Sequence, residues 1–183
     1  RMSILDSFEA WVGPNYGSTK VRLLVLGESR YDEDYHDRHI IQGVINGGRK
    51  ATFTKLVQAV LGRHHSDPEY DAVGFWKRTL FYNYNTSFYP GGPRVPLSQK
   101  TRLAPRNQEI LCTVLKRYRP THCIILGKGN WLSISPFLQQ SSPYYSITID
   151  QHRTIFSYIN HPSVGFRYQD WTGNLSEFLS RES

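Results

Sequence analysis

This sequence predicts an α/β domain, a three-layer α/β/α arrangement around a central, mainly parallel sheet of about four strands. Short apolar runs of strand length recur along it: Val21 to Leu26, Thr79 to Tyr82, Cys123 to Leu126 and Thr154 to Ile159. Stretches of helical periodicity alternate with these runs, the pattern of a parallel sheet covered on both faces. Polar segments follow three of the strand runs: Gly27-Glu28-Ser29-Arg30-Tyr31, Asn83-Tyr84-Asn85-Thr86 and His161-Pro162-Ser163. Sites in open α/β sheets form beyond the carboxyl ends of the strands, so these segments predict one cleft holding a carboxylate, an amide and an imidazole.

Taken in order, Ile4 to Val12 has helical spacing, stopped by Gly13-Pro14, and Val21 to Leu26 is the first strand. Residues 28 to 50 read as a long polar loop, carrying Asp32, Glu33 and Asp34 and later Gly47-Gly48-Arg49-Lys50. Thr52 to Leu61 is a helix with Phe53, Leu56, Val57, Val60 and Leu61 on one face. Tyr89 to Pro96 is a turn-rich loop rather than a linker. Pro105 opens a helix that ends before Pro120, and Cys123 to Leu126 is a strand closed by Gly127-Lys128-Gly129. Strands over Tyr145 to Ile149 and Thr154 to Ile159 and a helix through Trp171, Leu175, Phe178 and Leu179 complete a single domain over residues 1–183.

The composition narrows the function classes. Aromatic residues make up 14% of the chain, which suits a folded domain with aromatic-lined clefts. Lys and Arg exceed Asp and Glu by 7, an excess that favours a polyanionic partner, nucleic acid before an acidic membrane surface. No apolar stretch has transmembrane length and no leader pattern opens the chain. Cys112 and Cys123 lie in apolar contexts, as buried thiols in a reducing, cytoplasmic setting do, and two cysteines are too few for a usual four-ligand metal or cluster site.

The order of the polar segments resembles the uracil-DNA glycosylase superfamily, closest to its iron–sulfur (thermostable) type. That pattern has a Gly-Glu-Ala-Pro-Gly loop, an Asn-containing segment running into Pro-Pro-Gly, and a terminal His-Pro. Here Gly27-Glu28-Ser29-Arg30-Tyr31, Asn83 to Gly91, and His161-Pro162 occupy the same order over about residues 20–180. The sequence departs from it at Arg30, where the family has Pro, and at Ser29, where classical uracil enzymes have a water-orienting Asp. The cluster cysteines are not all present, so no cluster, no metal and no other cofactor is expected.

The resemblance implies a monofunctional DNA glycosylase, a monomer acting on DNA with no membrane association. The target base is flipped out of the duplex and its N-glycosidic bond hydrolysed. Bond cleavage builds positive charge on the sugar and negative charge on the base. His161 is the candidate donor to the developing base anion. Glu28 is the candidate to orient water, with Asp32 in reserve. Asn83 carries a donor and an acceptor suited to a base edge. Phe53 is placed to stack on the base and Tyr31 to wall the pocket, beside Gly27 and Ser29. Ser163 is assigned a phosphate contact, Arg30 and Lys128 a DNA contact, and Phe166 or Arg167 the gap left in the duplex. The substrate is uracil or a bulkier base, such as the hydroxymethylated or glucosylated pyrimidines of phage DNA, which would make the activity anti-phage defence.

Other readings stay open. Glu28 with Asp32, Glu33 and Asp34 also suits a Mg²⁺-dependent nuclease, and Ser29 suits a non-catalytic DNA-binding module of the same fold. Asn83 and Asn85 are also good turn residues, and Phe53 a good core residue.

Overall fold

The computed structural model describes residues 10–30, 36–89, 95, 97–163 and 165–183. Seven strands form one mixed sheet. They are β1 (Trp11–Val12), β2 (Leu23–Arg30), β3 (Thr79–Phe88), β4 (His122–Leu126), β5 (Gln139–Ser141), β6 (Tyr144–Ile149) and β7 (His152–Ile159), in the order β1-β3-β2-β4-β7-β6-β5. The expected sheet of about four mainly parallel strands is therefore corrected. The four central strands β3-β2-β4-β7 are parallel, but β1, β6 and β5 are added antiparallel at the edges. The flanking strands escape a sequence reading because they are short or polar: β1 has two residues and β5 is Gln-Gln-Ser.

Seven α-helices are described: α1 (Asp37–Ile45), α2 (Ala51–Leu61), α3 (Ala72–Lys77), α4 (Gln99–Arg102), α5 (Pro105–Tyr118), α6 (Lys128–Ile134) and α7 (Gln169–Ser180). Strand alternation sorts the core into two layers. Leu23, Val25, Phe81, Ile124 and Ile155 face one side with Phe53, Leu56, Leu175 and Phe178 of α2 and α7. Leu24, Leu26, Leu80, Cys123 and Ile125 face the other with Ile110, Leu111 and Val114 of α5. Each strand residue thus serves one layer and its neighbour the other, which is what period-2 geometry requires of a sheet covered twice. None of the helices among the described residues is long and apolar enough to cross a membrane. Cys123 is buried and Cys112 half-buried, both are free, and burial pushes both thiols up.

Three local expectations change. Trp11 and Val12 are not the end of a helix but pair with Phe81 and Leu80, and the Trp11 indole donates to the Trp76 carbonyl at 2.9 Å. Residues 37–45, inside the long loop expected over 28–50, form α1, whose buried Asp37 and Ile41 lie one turn apart. Gly27 to Arg30 and Asn83 to Thr86 do not follow strands but lie within them. Gly27 pairs with Asn83 and Ser29 with Asn85 in the β2–β3 ladder, which shifts register only between Ser29 and Arg30.

Candidate functional site

At the carboxyl ends of the parallel strands, β2 delivers Glu28, β3 delivers Asn83, and the chain leaving β7 delivers His161. The three line one small pocket of about 240 Å³, whose apolar walls are Ile40, Phe53, Phe81 and Leu126. Glu28 and His161 also line a wider, polar cleft of about 570 Å³ with Arg102, Lys128, Arg167 and Ser163. The carboxylate and the imidazole therefore stand where a small, largely apolar pocket meets a wider polar one.

Asn83 is held in one orientation. Its main-chain N–H donates to Asp37 Oδ2 at 2.7 Å, and its Nδ2 donates to Asp37 Oδ1 at 2.6 Å, with Asp37 and Asn83 both buried. A carboxylate accepts only, so it fixes which end of the amide is nitrogen. The carbonyl Oδ1 then lies against Gly27, where a Cβ would collide with it, so glycine is needed there for close approach rather than for a turn. The amide is left with an acceptor and its second Nδ2 hydrogen, and a base edge that offers an N–H is the complement of the acceptor.

Glu28 is braced from two sides. Its carboxylate pairs with Arg102 of α4 at 2.7 Å, both side chains about one-fifth exposed (23% and 19%). Arg102 reaches it by crossing Gly129, where any Cβ would strike the guanidinium. The Glu28 carbonyl accepts from Asn85 Nδ2 at 2.7 Å, and Asn85 Oδ1 accepts from Asn107 Nδ2 at 3.0 Å. Asn107 also donates to the Thr101 carbonyl at 3.1 Å, so the start of α5 and the end of α4 are tied to the strand carrying the carboxylate. These bonds explain why polar residues continue a buried strand: each amide has its partner inside.

His161 is exposed to the cleft, yet the protein around its ring pushes the imidazole below the usual histidine range, with the Glu28 charge acting in the opposite sense. At neutral pH the ring is uncharged, with one nitrogen a donor and the other an acceptor. Two buried polar atoms beside Glu28 have no hydrogen-bond partner among the described residues, Ser29 Oγ and Asn130 Oδ1. Asn130 meanwhile donates to the Gly27 carbonyl at 2.9 Å. Buried polar groups are rarely left unpaired, and Ser29, which lines the pocket, is the one a ligand or water there would satisfy.

The remaining expected residues divide. Phe53 is both core and wall: its ring meets Trp76 and Phe81 edge-on at 5.5 and 5.3 Å and still faces the pocket. Ser163 has its N–H on the His161 carbonyl at 2.7 Å, and its own carbonyl accepts from Lys55 at 2.5 Å, so the turn is fixed from α2. Phe166 lies half-buried and flat on Trp171, with centroids 6.2 Å apart, and Arg167 is exposed 4.0 Å from Asp170. Lys128 is exposed on the cleft rim. Tyr31 and Asp32 lie outside the described residues, as does the side chain of Arg30. The sequence reading missed Asp37, Arg102 and Asn107. Only Asp37 carried a signal, as an acidic residue opening the amphipathic stretch that is α1.

No protein-family model matches this chain, and no curated protein matches it either.

Proposed function

We propose that this domain is a DNA glycosylase of the uracil-DNA glycosylase superfamily type, which takes a flipped base into the small pocket and hydrolyses its N-glycosidic bond. The observation that carries the proposal is the convergence of Glu28, Asn83 and His161 on one pocket with an aromatic wall, opening into a basic cleft. Its small volume suits one planar heterocycle. Phe53 supplies the face on which the ring lies and Asn83 Oδ1 accepts from its edge. As the C1′–N bond lengthens, its electron pair moves onto the base, and the neutral His161 donates a hydrogen bond to the base oxygen where that charge collects. Glu28, held by Arg102, faces the electron-poor sugar and orients the water whose oxygen bonds to C1′. The water's proton leaves to solvent and the base departs to take up its own proton.

The deciding experiment is single-turnover incubation, in excess chelator, against labelled oligonucleotides. They carry uracil, a thymine mismatch, hypoxanthine, or hydroxymethylated or glucosylated cytosine, with abasic sites revealed by alkali. One base released, and its release lost in His161→Ala, is the expected result. No abasic site on any substrate would overturn the proposal. A second reading, a DNA-binding module without catalysis, draws on the Glu28–Arg102 pair, which satisfies the carboxylate within the protein. It predicts salt-dependent DNA binding and no abasic sites in the same panel.

A further inference from the structure

We infer that a second binding surface, a groove of stacked aromatic rings beside the candidate pocket, takes the bases of a single-stranded nucleic-acid segment next to the reacting nucleotide. The inference rests on the proposed action on DNA for its place in function, but the groove stands on separate observations.

The first is a break in the sheet. Strand β6 pairs with β7 only as far as Tyr145 opposite Phe156, whereas β7 continues through Ser157, Tyr158 and Ile159 beside β4. A notch is left along the outer side of β7's carboxyl end, and a groove of about 430 Å³ occupies it. The second observation is what lines that notch. Trp131 of α6 stacks on Tyr158 of β7 with centroids 5.1 Å apart and planes 19° from parallel, and meets Tyr145 edge-on at 4.9 Å. Tyr158 continues to Trp171 at 6.5 Å, and Trp171 to Phe166 at 6.2 Å, the last pair within 4° of parallel. All five rings are half-buried rather than sealed in the core. Trp171 lines both the groove and the cleft, and Phe166 lines the cleft, so the row of rings runs from the groove into the candidate site.

Chemistry and position agree on the occupant. Tyr158 precedes His161 by three residues of chain, about 10 Å at strand rise. A base in the groove would therefore belong to a near neighbour of the base in the pocket. A row of rings leading to a basic cleft is the combination that holds single strands without reading sequence, since every base has a face to stack. Lys128 supplies positive charge at the cleft end. The acidic side chains nearby are compensated: Glu177 pairs with Arg181 at 2.7 Å, and Asp170 faces Arg167.

The test uses the whole protein and a thymidine oligonucleotide carrying one 5-iodouracil. Photocross-linking, mapped by peptide mass, is expected at Trp131, Tyr145 or Tyr158. Trp131→Leu and Tyr145→Leu, with folding checked by thermal melting, are expected to weaken oligothymidine binding by about tenfold each. The single-turnover rate on saturating duplex substrate should be unchanged in both variants. Cross-links confined to other surfaces of the unaltered protein, or undiminished binding in both folded variants, would overturn the inference while leaving the proposed activity intact. Loss of oligothymidine binding in both variants, in a protein that releases no base from any substrate, would uphold the groove and refute the glycosylase. Should either variant fail to fold, the cross-link map of the unaltered protein decides.

Discussion

His122 and His161 stand at opposite ends of the parallel sheet. At the amino end of β4, His122 Nε2 faces the Arg181 carbonyl at 3.2 Å, which accepts only, so Nε2 carries the proton. Its Nδ1 then accepts from Thr121 Oγ1 at 2.8 Å, and that hydroxyl accepts from the Arg22 N–H at 2.9 Å. Thr154 Oγ1 and His152 Nε2 both bond the Pro120 carbonyl nearby, at 2.7 and 2.8 Å. The polar groups at this end close on themselves. At the carboxyl end, His161 faces a cleft, Glu28 is one-fifth exposed, and Ser29 Oγ and Asn130 Oδ1 have no partner among the described residues. The same residue types are spent on cohesion at one end and left available at the other. That contrast, more than any single side chain, marks the carboxyl end as the candidate site.

The largest expected effect lies at the open end. His161→Ala should lower single-turnover base release by about 10²–10³-fold, the usual loss on removing one donor to a developing anion. DNA affinity should be nearly unchanged, because the contact strengthens only as the bond breaks. Release at the original rate would remove His161 from the mechanism and leave the two ends alike. Next in size is Arg102→Met, which removes the brace from Glu28. We expect a loss of about 1–3 kcal/mol in urea-unfolding stability from the partly buried charged bond. Base release should also slow by about tenfold, since the carboxylate is no longer held in place. Intact activity in that variant would show the pair to be structural.

A matched pair of smaller substitutions sets the two ends against each other. Thr121→Ala strands the Arg22 N–H and His122 Nδ1, and should cost about 1–2 kcal/mol with no effect on DNA. Ser29→Ala deletes a buried hydroxyl that has no partner among the described residues, so stability should hold or rise by up to about 1 kcal/mol, while substrate affinity falls. Equal destabilisation in the two variants, measured by urea midpoint, would mean that Ser29 is as satisfied as Thr121 and the contrast is false.

How much of this was readable in the sequence follows from the same difference. The central strands were legible because Leu24 to Leu26, Leu80 to Tyr82, Cys123 to Ile125 and Ile155 to Phe156 are buried from both faces and must be apolar. Their ends were not. Glu28, Ser29, Asn83 and Asn85 look like loop by hydropathy, and they stay in strands because Asp37, Asn107 and the Glu28 carbonyl satisfy the amides. Those partners are 22 to 57 residues away in the chain, beyond any local pattern. The edge strands were illegible for a related reason: β1 and β5 are defined by the neighbour they pair with. Glu28, Asn83 and His161 were still legible as a set, since each is a polar residue just past an apolar run, and the parallel sheet gathers such positions at one edge.

The smallest expected effect is a pH dependence that separates the two histidines. Burial pushes His122 below the usual histidine range, with carbonyls of Arg181 and Phe178 pulling it back up, and His161 is lowered by the protein around it. A histidine depressed in the native state binds its proton later on acidification than the same residue in the unfolded chain. Between the ordinary value of 6.5 and the lowered native one, the unfolded chain therefore holds more protons, and stability falls as pH falls. Well above 6.5 both states are neutral at these residues and they impose no slope. Melting temperature should be nearly level across neutral and mildly alkaline pH and should decline on acidification below 6.5. His122→Gln keeps a donor for the Arg181 carbonyl but cannot titrate, so its decline should be shallower, with His161 supplying the remainder. An identical acid slope in His122→Gln would place the proton uptake elsewhere. A slope abolished by His122→Gln alone would mean that His161 titrates freely, in keeping with an imidazole open to the cleft rather than held by it.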